Sequence, residues 1–187
     1  IPMKDFKRKD IFDYNGLWVA LKNLNIIIQG MEFIMDLKRR QPIGVELVKR
    51  GVVSEDDIQK ALDYQREHPD MRLGDILYEI DACDPYVLIK NIGEILGEKG
   101  ILLRNNMIKV NLTDYISLDV AKKNEAVPFE IENGKIKVCF SNTTNQRNMN
   151  TVRLLLLNKG LVMETYITFK QDIQNFLKSL EADAYSA

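Results

Sequence analysis

The chain has 187 residues, 45% of them hydrophobic, and 26 Lys and Arg against 27 Asp and Glu give a formal net charge of −1. This mix specifies an ordinary globular protein, long enough for one large domain or two small ones, and excludes a disordered chain. It lacks the strongly basic balance that nucleic-acid binding calls for. The single histidine, His68, leaves little for a His-based metal site or a Ser-His-Asp triad, and Cys83 and Cys139, without ligand-like spacing, read as free thiols of a reducing compartment.

The sequence begins at Ile1, which reads as a fragment or a processed chain, and residues 1–13 are charged and loosely held by expectation. From there Leu17, Leu21, Leu24, Ile28, Met31 and Met35 recur at spacings of four and three, drawing one apolar stripe down a predicted helix. The stripe either packs on the helices behind it or docks on another protein, with Leu17, Leu21, Leu24 and Ile28 as the candidate interaction residues. Lys22, Asn23, Asn25 and Gln29 make the run too polar to span a bilayer, and it has no signal-peptide cleavage site. Lys38-Arg39-Arg40 follows, a solvated helix end or a phosphate contact.

Between Pro42 and Ile95 one short pattern is written twice, 30 residues apart: Pro42-Ile43-Gly44-Val45-Glu46-Leu47-Val48 aligns with Arg72-Leu73-Gly74-Asp75-Ile76-Leu77-Tyr78, Ser54 with Asp84, Ile58 with Leu88, and Leu62 with Ile92. Each copy predicts a helical hairpin. A short helix, Val45 to Lys49 or Asp75 to Glu79, starts just after a Gly. In the first copy the chain turns at Gly51 and restarts at Ser54, an N-cap followed by the first-turn acids Glu55, Asp56 and Asp57; in the second, Asp84 caps and Pro85 takes the first helical position. Ile58, Ala61 and Leu62, and then Leu88, Ile89, Ile92 and Leu96, recur at helical spacing. The segment 66–70 between the copies is polar and Pro-broken, so His68 is expected in an exposed loop.

Beyond Gly100 the apolar period changes. Ile108, Val110 and Leu112 alternate, predicting a half-buried strand over Met107 to Leu112. Val127 to Ile131 and Lys135 to Phe140 flank Asn133-Gly134, a strong hairpin signal. A polar turn from Ser141 to Asn145 leads to a helix carrying Val152, Leu155 and Leu156 and stopped at Lys159-Gly160. Leu161 to Ile167 reads as a strand, Phe169 to Leu180 as a last helix, and 181–187 as a tail or linker. The expected fold class is α+β: an extension (1–37), a helical subdomain of two repeats (38–100; repeats 42–65 and 72–95), and a small C-terminal α/β subdomain (101–180).

Catalytic chemistry is not visible. Gly93-Glu94-Ile95-Leu96-Gly97-Glu98-Lys99-Gly100 fails as a phosphate-binding loop, because three residues separate its first glycines, Glu98 stands between Gly97 and Lys99, and the preceding segment reads as helix. Its glycines are expected to end that helix. The chain itself reads as no enzyme, with no catalytic residue, no metal site and no cofactor.

The repeated Arg-Leu-Gly pattern, with a Leu three residues on, a Gly four further, then Leu, Leu and Gln at helical spacing, resembles the N-terminal domain of type II secretion and type IV pilus assembly ATPases. Asp119 to Pro128, Glu132 to Val138 and Asn142 to Asn145 also resemble successive segments of that family, over roughly residues 38–180. The resemblance implies a bacterial, cytoplasmic domain, peripheral at the inner membrane through a platform protein as partner. It also implies candidate contacts to cyclic di-GMP, which some members bind: Ile43, Gly44, Leu47, Gly51, Ile58, Leu62 and Gln65 in the first copy, and Arg72, Leu73, Gly74, Leu77, Leu88 and Ile92 in the second. The chain departs from the pattern at Pro42 for Arg, Asp81 for Gly and Ile95 for Gln. Two functions stay open: a docking and regulatory module with no ligand of its own, or a cyclic di-GMP sensor using both repeats. Gly44 and Gly74 serve either close ligand approach or helix packing.

Overall fold

A computed structural model describes residues 42–186, which form one compact unit; the apolar stripe of Leu17, Leu21, Leu24 and Ile28 and the basic cluster at 38–40 lie outside the described residues. Four helices come first: α1 (Ile43–Lys49), α2 (Glu55–Glu67), α3 (Leu73–Glu79) and α4 (Pro85–Leu96). Corresponding helices start 30 residues apart, as the repeat requires. Ser54 closes a full capping box, its Oγ accepting the Asp57 N–H at 3.1 Å while the Asp57 carboxylate accepts the Ser54 N–H at 3.0 Å. Asp84 accepts the Val87 N–H at 2.9 Å, with Pro85 opening α4. α1 and α3 start two residues earlier than expected, so Gly44 and Gly74 lie inside the first turn rather than ahead of it.

Both short helices end alike. The amide of residue 51 or 81 bonds the carbonyl of Val48 or Tyr78, and the next amide, of Val52 or Ala82, reaches back to Leu47 or Leu77, the paired bonds of a Schellman stop. That stop needs a left-handed residue. Gly51 supplies it at φ 68°, whereas Asp81 is held there at φ 51° against the steric cost of its Cβ.

The α/β part pairs its strands in the order β1-β4-β3-β2, from β1 (Lys99–Gly100), β2 (Ala126–Glu132), β3 (Lys135–Phe140) and β4 (Val162–Ile167). β2 and β3 are antiparallel across Asn133-Gly134, both at positive φ as a two-residue hairpin turn wants. β3 returns to β4 in parallel through α6 (Gln146–Leu157), and β1 adds in parallel at the other edge of β4. α5 (Leu118–Asn124) precedes β2, and α7 (Lys170–Ser186) closes the fold, running past the expected end at Leu180 through the segment expected as a tail.

Three further expectations need correction. Met107 to Leu112 is no strand: 3-10 turns at Asn105–Met107 and Leu112–Asp114 flank a stretch whose Lys109 N–H bonds the Phe129 carbonyl of edge strand β2. Leu112 is buried, so the alternation marks burial, while the turn-forming Asn105, Asn106 and Asn111 break the ladder. Leu155 is exposed, α6 burying Met149, Val152 and Leu156 instead. Of the glycines expected to end α4, only Gly97 does so; Gly93 and Gly100 sit where a Cβ would run into the opposing backbone, and so let the chain fold from helix into β1.

Two cores result. One fills the α/β part around Val127, Ile136, Phe140, Val152 and Ile173. The other joins Leu47, Ala61, Ile76, Leu77, Leu88, Ile89 and Ile92 of the helices to Ile167 and Phe169 from the end of β4 and the start of α7. Opposite the helices, the sheet carries charged pairs: Lys137 meets Glu130 at 2.7 Å and Glu132 at 2.8 Å, Lys109 also pairs with Glu130, and Lys99 meets Glu164 at 2.6 Å.

Two measurements test this fold. Asp81→Gly, by relieving the left-handed strain, is expected to raise the unfolding free energy by about 0.5–1 kcal/mol in denaturant titration. Lys109 and Lys137 hold the Glu130 carboxyl down at about 2, against an ordinary 4.5. A depressed carboxyl stabilises the fold above its unfolded value, and that contribution is lost as pH falls from 4.5 toward 2. Glu130→Gln should therefore flatten the dependence of stability on pH within that window, and an unchanged slope would count against these pairs.

Candidate functional site

At the junction of the helical and α/β parts lies a cavity of about 360 Å³. Ile43, Leu73, Gly74, Ile89, Ile92 and Leu96 line its helical side, and Ser141, Asn142, Thr144, Ile167, Thr168 and Phe169 the other, with Arg72 and Asp75 at the seam. The wall is mostly apolar, and the volume sits near the lower end for small-molecule sites.

Five of the sequence-predicted ligand contacts meet here: Ile43, Arg72, Leu73, Gly74 and Ile92. The others do not. Leu47, Leu77 and Leu88 are fully buried in the helical core, Gly51 and Leu62 are exposed away from the cavity, and Ile58 packs on that core. Gln65 is committed internally, its Nε2 donating to the Met71 carbonyl at 2.7 Å. A Cβ on Gly44 would meet Leu73 at 3.0 Å and Ile58 at 3.3 Å, and one on Gly74 would meet Ile92 at 2.8 Å. In this structure both glycines make room for side chains of neighbouring helices.

Arg72, the one cation of the pattern, is also engaged. Its Nε and Nη2 donate to the Asp75 carboxylate at 2.7 and 2.6 Å, and its Nη1 donates to the Ser141 carbonyl at the end of β3. Asp75 in turn accepts the Lys170 N–H at 2.9 Å, capping the first turn of α7 from another part of the fold. Three residues further along α3, Tyr78 stacks on Phe169 with ring centroids 4.0 Å apart and donates its hydroxyl to Asp172 at 3.2 Å. Arg104 reaches the same Asp172 oxygen at 3.1 Å, while the second oxygen is buried without a hydrogen-bond partner among the described residues. Burial pushes the Asp172 carboxyl up from its ordinary value despite Arg104. Beside this seam Glu125 accepts from the Ser141 hydroxyl and pairs with Lys170 at 2.6 Å; burial opposes its charge, but Lys170 and Ser141 outweigh it and hold the carboxyl below the usual range.

Arg72, Asp75 and Tyr78 share one face of α3, and sequence reasoning singled out only the first. The signal was present in the repeat: 30 residues earlier these positions are Pro42, Val45 and Val48, none of which can make the polar contacts. Among the described residues, α1 makes no hydrogen bond to the α/β part. The described residues include no group of His, Cys, Asp and Glu arranged to hold a metal ion, and no helix among them is long and apolar enough to cross a membrane. Asp75→Ala should cost about 1 kcal/mol as a lost helix cap and speed exchange of the Lys170 amide. Val45→Ala, at the equivalent position of α1, should leave that amide unchanged when both are followed by hydrogen exchange.

Residues 96–187 match the sequence family described as the MshEN domain, a span that begins at the last residue of α4 and so takes in the α/β part but not the repeats. No curated protein matches the chain. Among solved structures, that of MshE with cdg superposes at a TM-score of 0.53 with 19% identity, covering 75% of this chain and 99% of that one. The N-terminal domain of XpsE gives 0.48 and 17%, covering 73% of this chain and 91% of the other. At 19% identity the first of these speaks for a shared fold. The MshEN match over residues 96–187 and the fold shared with MshE both support the resemblance to the N-terminal domains of secretion and pilus assembly ATPases.

Proposed function

We propose that the chain is a non-catalytic regulatory and docking domain of a secretion or pilus assembly ATPase, linking the motor to a membrane platform protein without a nucleotide ligand of its own. One observation carries this reading: Arg72 is held by Asp75 and by the Ser141 carbonyl. Asp75 neutralises the guanidinium next to the cavity, which leaves a poor site for a ligand with two phosphates. The packing at Gly44 supports the same reading, since Leu73 and Ile58 fill the space beside it.

The cavity itself favours a second reading, in which the domain senses cyclic di-GMP. It gathers Ile43, Arg72, Leu73, Gly74 and Ile92 from both repeats, and the related solved structure is of MshE with cdg, which we read as that dinucleotide. In this reading the ligand must first take Arg72 from Asp75. A lost charge-assisted contact costs about 1.5–3 kcal/mol, roughly one to two decades of affinity, and Pro42 and Ile95 stand where the pattern has Arg and Gln.

Titration calorimetry with cyclic di-GMP separates the two. The expected result is no heat of binding, or binding far weaker than an intact pattern gives, with a gain on Pro42→Arg, Asp81→Gly and Ile95→Gln together. Tight binding by the unaltered chain, abolished by Arg72→Ala, would establish the sensor. For docking, the cytoplasmic part of a platform protein should bind the chain with no dinucleotide present.

A further inference from the structure

Charge is unevenly distributed along the chain. From Asn133 to Met163 there are five cations, Lys135, Lys137, Arg147, Arg153 and Lys159, and no Asp or Glu. Lys137 is neutralised by Glu130 and Glu132 on the sheet. Arg147, Arg153 and Lys159, on α6 and just beyond it, form no ion pair among the described residues; Arg153 only donates to Asn150, and its charge is felt by Glu98.

The same helix carries exposed leucines. α6 turns Met149, Val152 and Leu156 to the core, and the opposite stripe, at helical spacing, reads Arg147, Asn150, Leu154 and Leu157. Leu154 is 60% and Leu157 57% exposed. Neither the junction cavity nor a second one of about 300 Å³, lined by Lys122, Glu125 and residues of α7, takes any lining from α6. The stripe is the outer side of α6, turned away from Met149, Val152 and Leu156.

We propose that this face of α6 lies against an anionic lipid surface, with Leu154 and Leu157 dipping among the acyl chains and Arg147 and Arg153, on either side of them, meeting the phosphates. Unpaired cations flanking apolar side chains on an outward helix face are the chemistry that an interfacial helix presents to such a surface. Two leucines and two cations make a weak, salt-sensitive contact, suited to adding to a protein anchor rather than replacing one. The contact uses a different surface from the junction cavity and stands independently of how that cavity is read.

The test is co-sedimentation of the whole chain with phosphatidylglycerol-rich vesicles and, in parallel, with pure phosphatidylcholine vesicles. Binding is expected to the anionic vesicles alone and to fall as salt is raised. Leu154→Asp with Leu157→Asp, and separately Arg147→Glu with Arg153→Glu, should each weaken it about tenfold or more while leaving thermal unfolding unchanged, because these side chains are largely outside the core. No binding to anionic vesicles overturns the proposal, and so does binding that both double variants retain. Concentration-dependent dimerisation in sedimentation velocity, abolished by the leucine pair and unaccompanied by vesicle binding, would assign the face to a second copy of the chain instead.

Discussion

The seam between α3 and the start of α7 decides how the two parts of this protein are joined. Asp75 caps an α7 amide while gripping Arg72, Arg72 reaches the end of β3, and Tyr78 lies flat on Phe169. Capping and stacking act together here. A carboxylate accepting a helix N-terminal amide is favoured by the helix dipole, and a ring pair in offset contact adds to the apolar area it buries. These contributions come from one face of a two-turn helix, which fixes its side of the bundle on the sheet, while Ile89 and Ile92 of α4 pack with Ile167.

The duplication accounts for the rest of the bundle. Both hairpins share caps, Schellman stops and an inward-facing leucine, Leu47 or Leu77, because each must build the same supersecondary unit. They differ where surroundings differ. The second copy faces the α/β part and carries Arg72, Asp75 and Tyr78; the first carries Pro42, Val45 and Val48 at the same places. A duplicated sequence in a non-duplicated environment diverges at its contacts and keeps its internal packing. Asp81 shows the limit of that rule, since the stop it forms persists although the glycine that eases it is gone.

Local features were legible in the sequence because their causes are local. Ser54 with Asp57, Asp84 with Pro85, and Asn133-Gly134 each specify a backbone geometry within four residues, and each forms as read. The segment from Met107 to Leu112 misled because alternation records which side chains are buried, not whether a neighbouring ladder exists to pair with. The candidate site was harder still. Leu47, Leu77 and Leu88 fit a ligand pattern and a core pattern equally well at helical spacing, and only packing assigns them to the core. Contacts such as Asp75 to Lys170, 95 residues apart, leave no periodicity at all.

Ile167 and Phe169 belong to the helical core although they are encoded near the far end of the chain. On the ribosome the two hairpins emerge before the α/β part, yet their hydrophobic interior stays open until more than 70 further residues have followed α4 out of the exit tunnel. The helical repeats thus complete their core only once the end of β4 and the start of α7 are present, although they are made before them. A chain interrupted before β4 would leave Ile89 and Ile92 facing water, and so be marked as unfinished by its exposed surface.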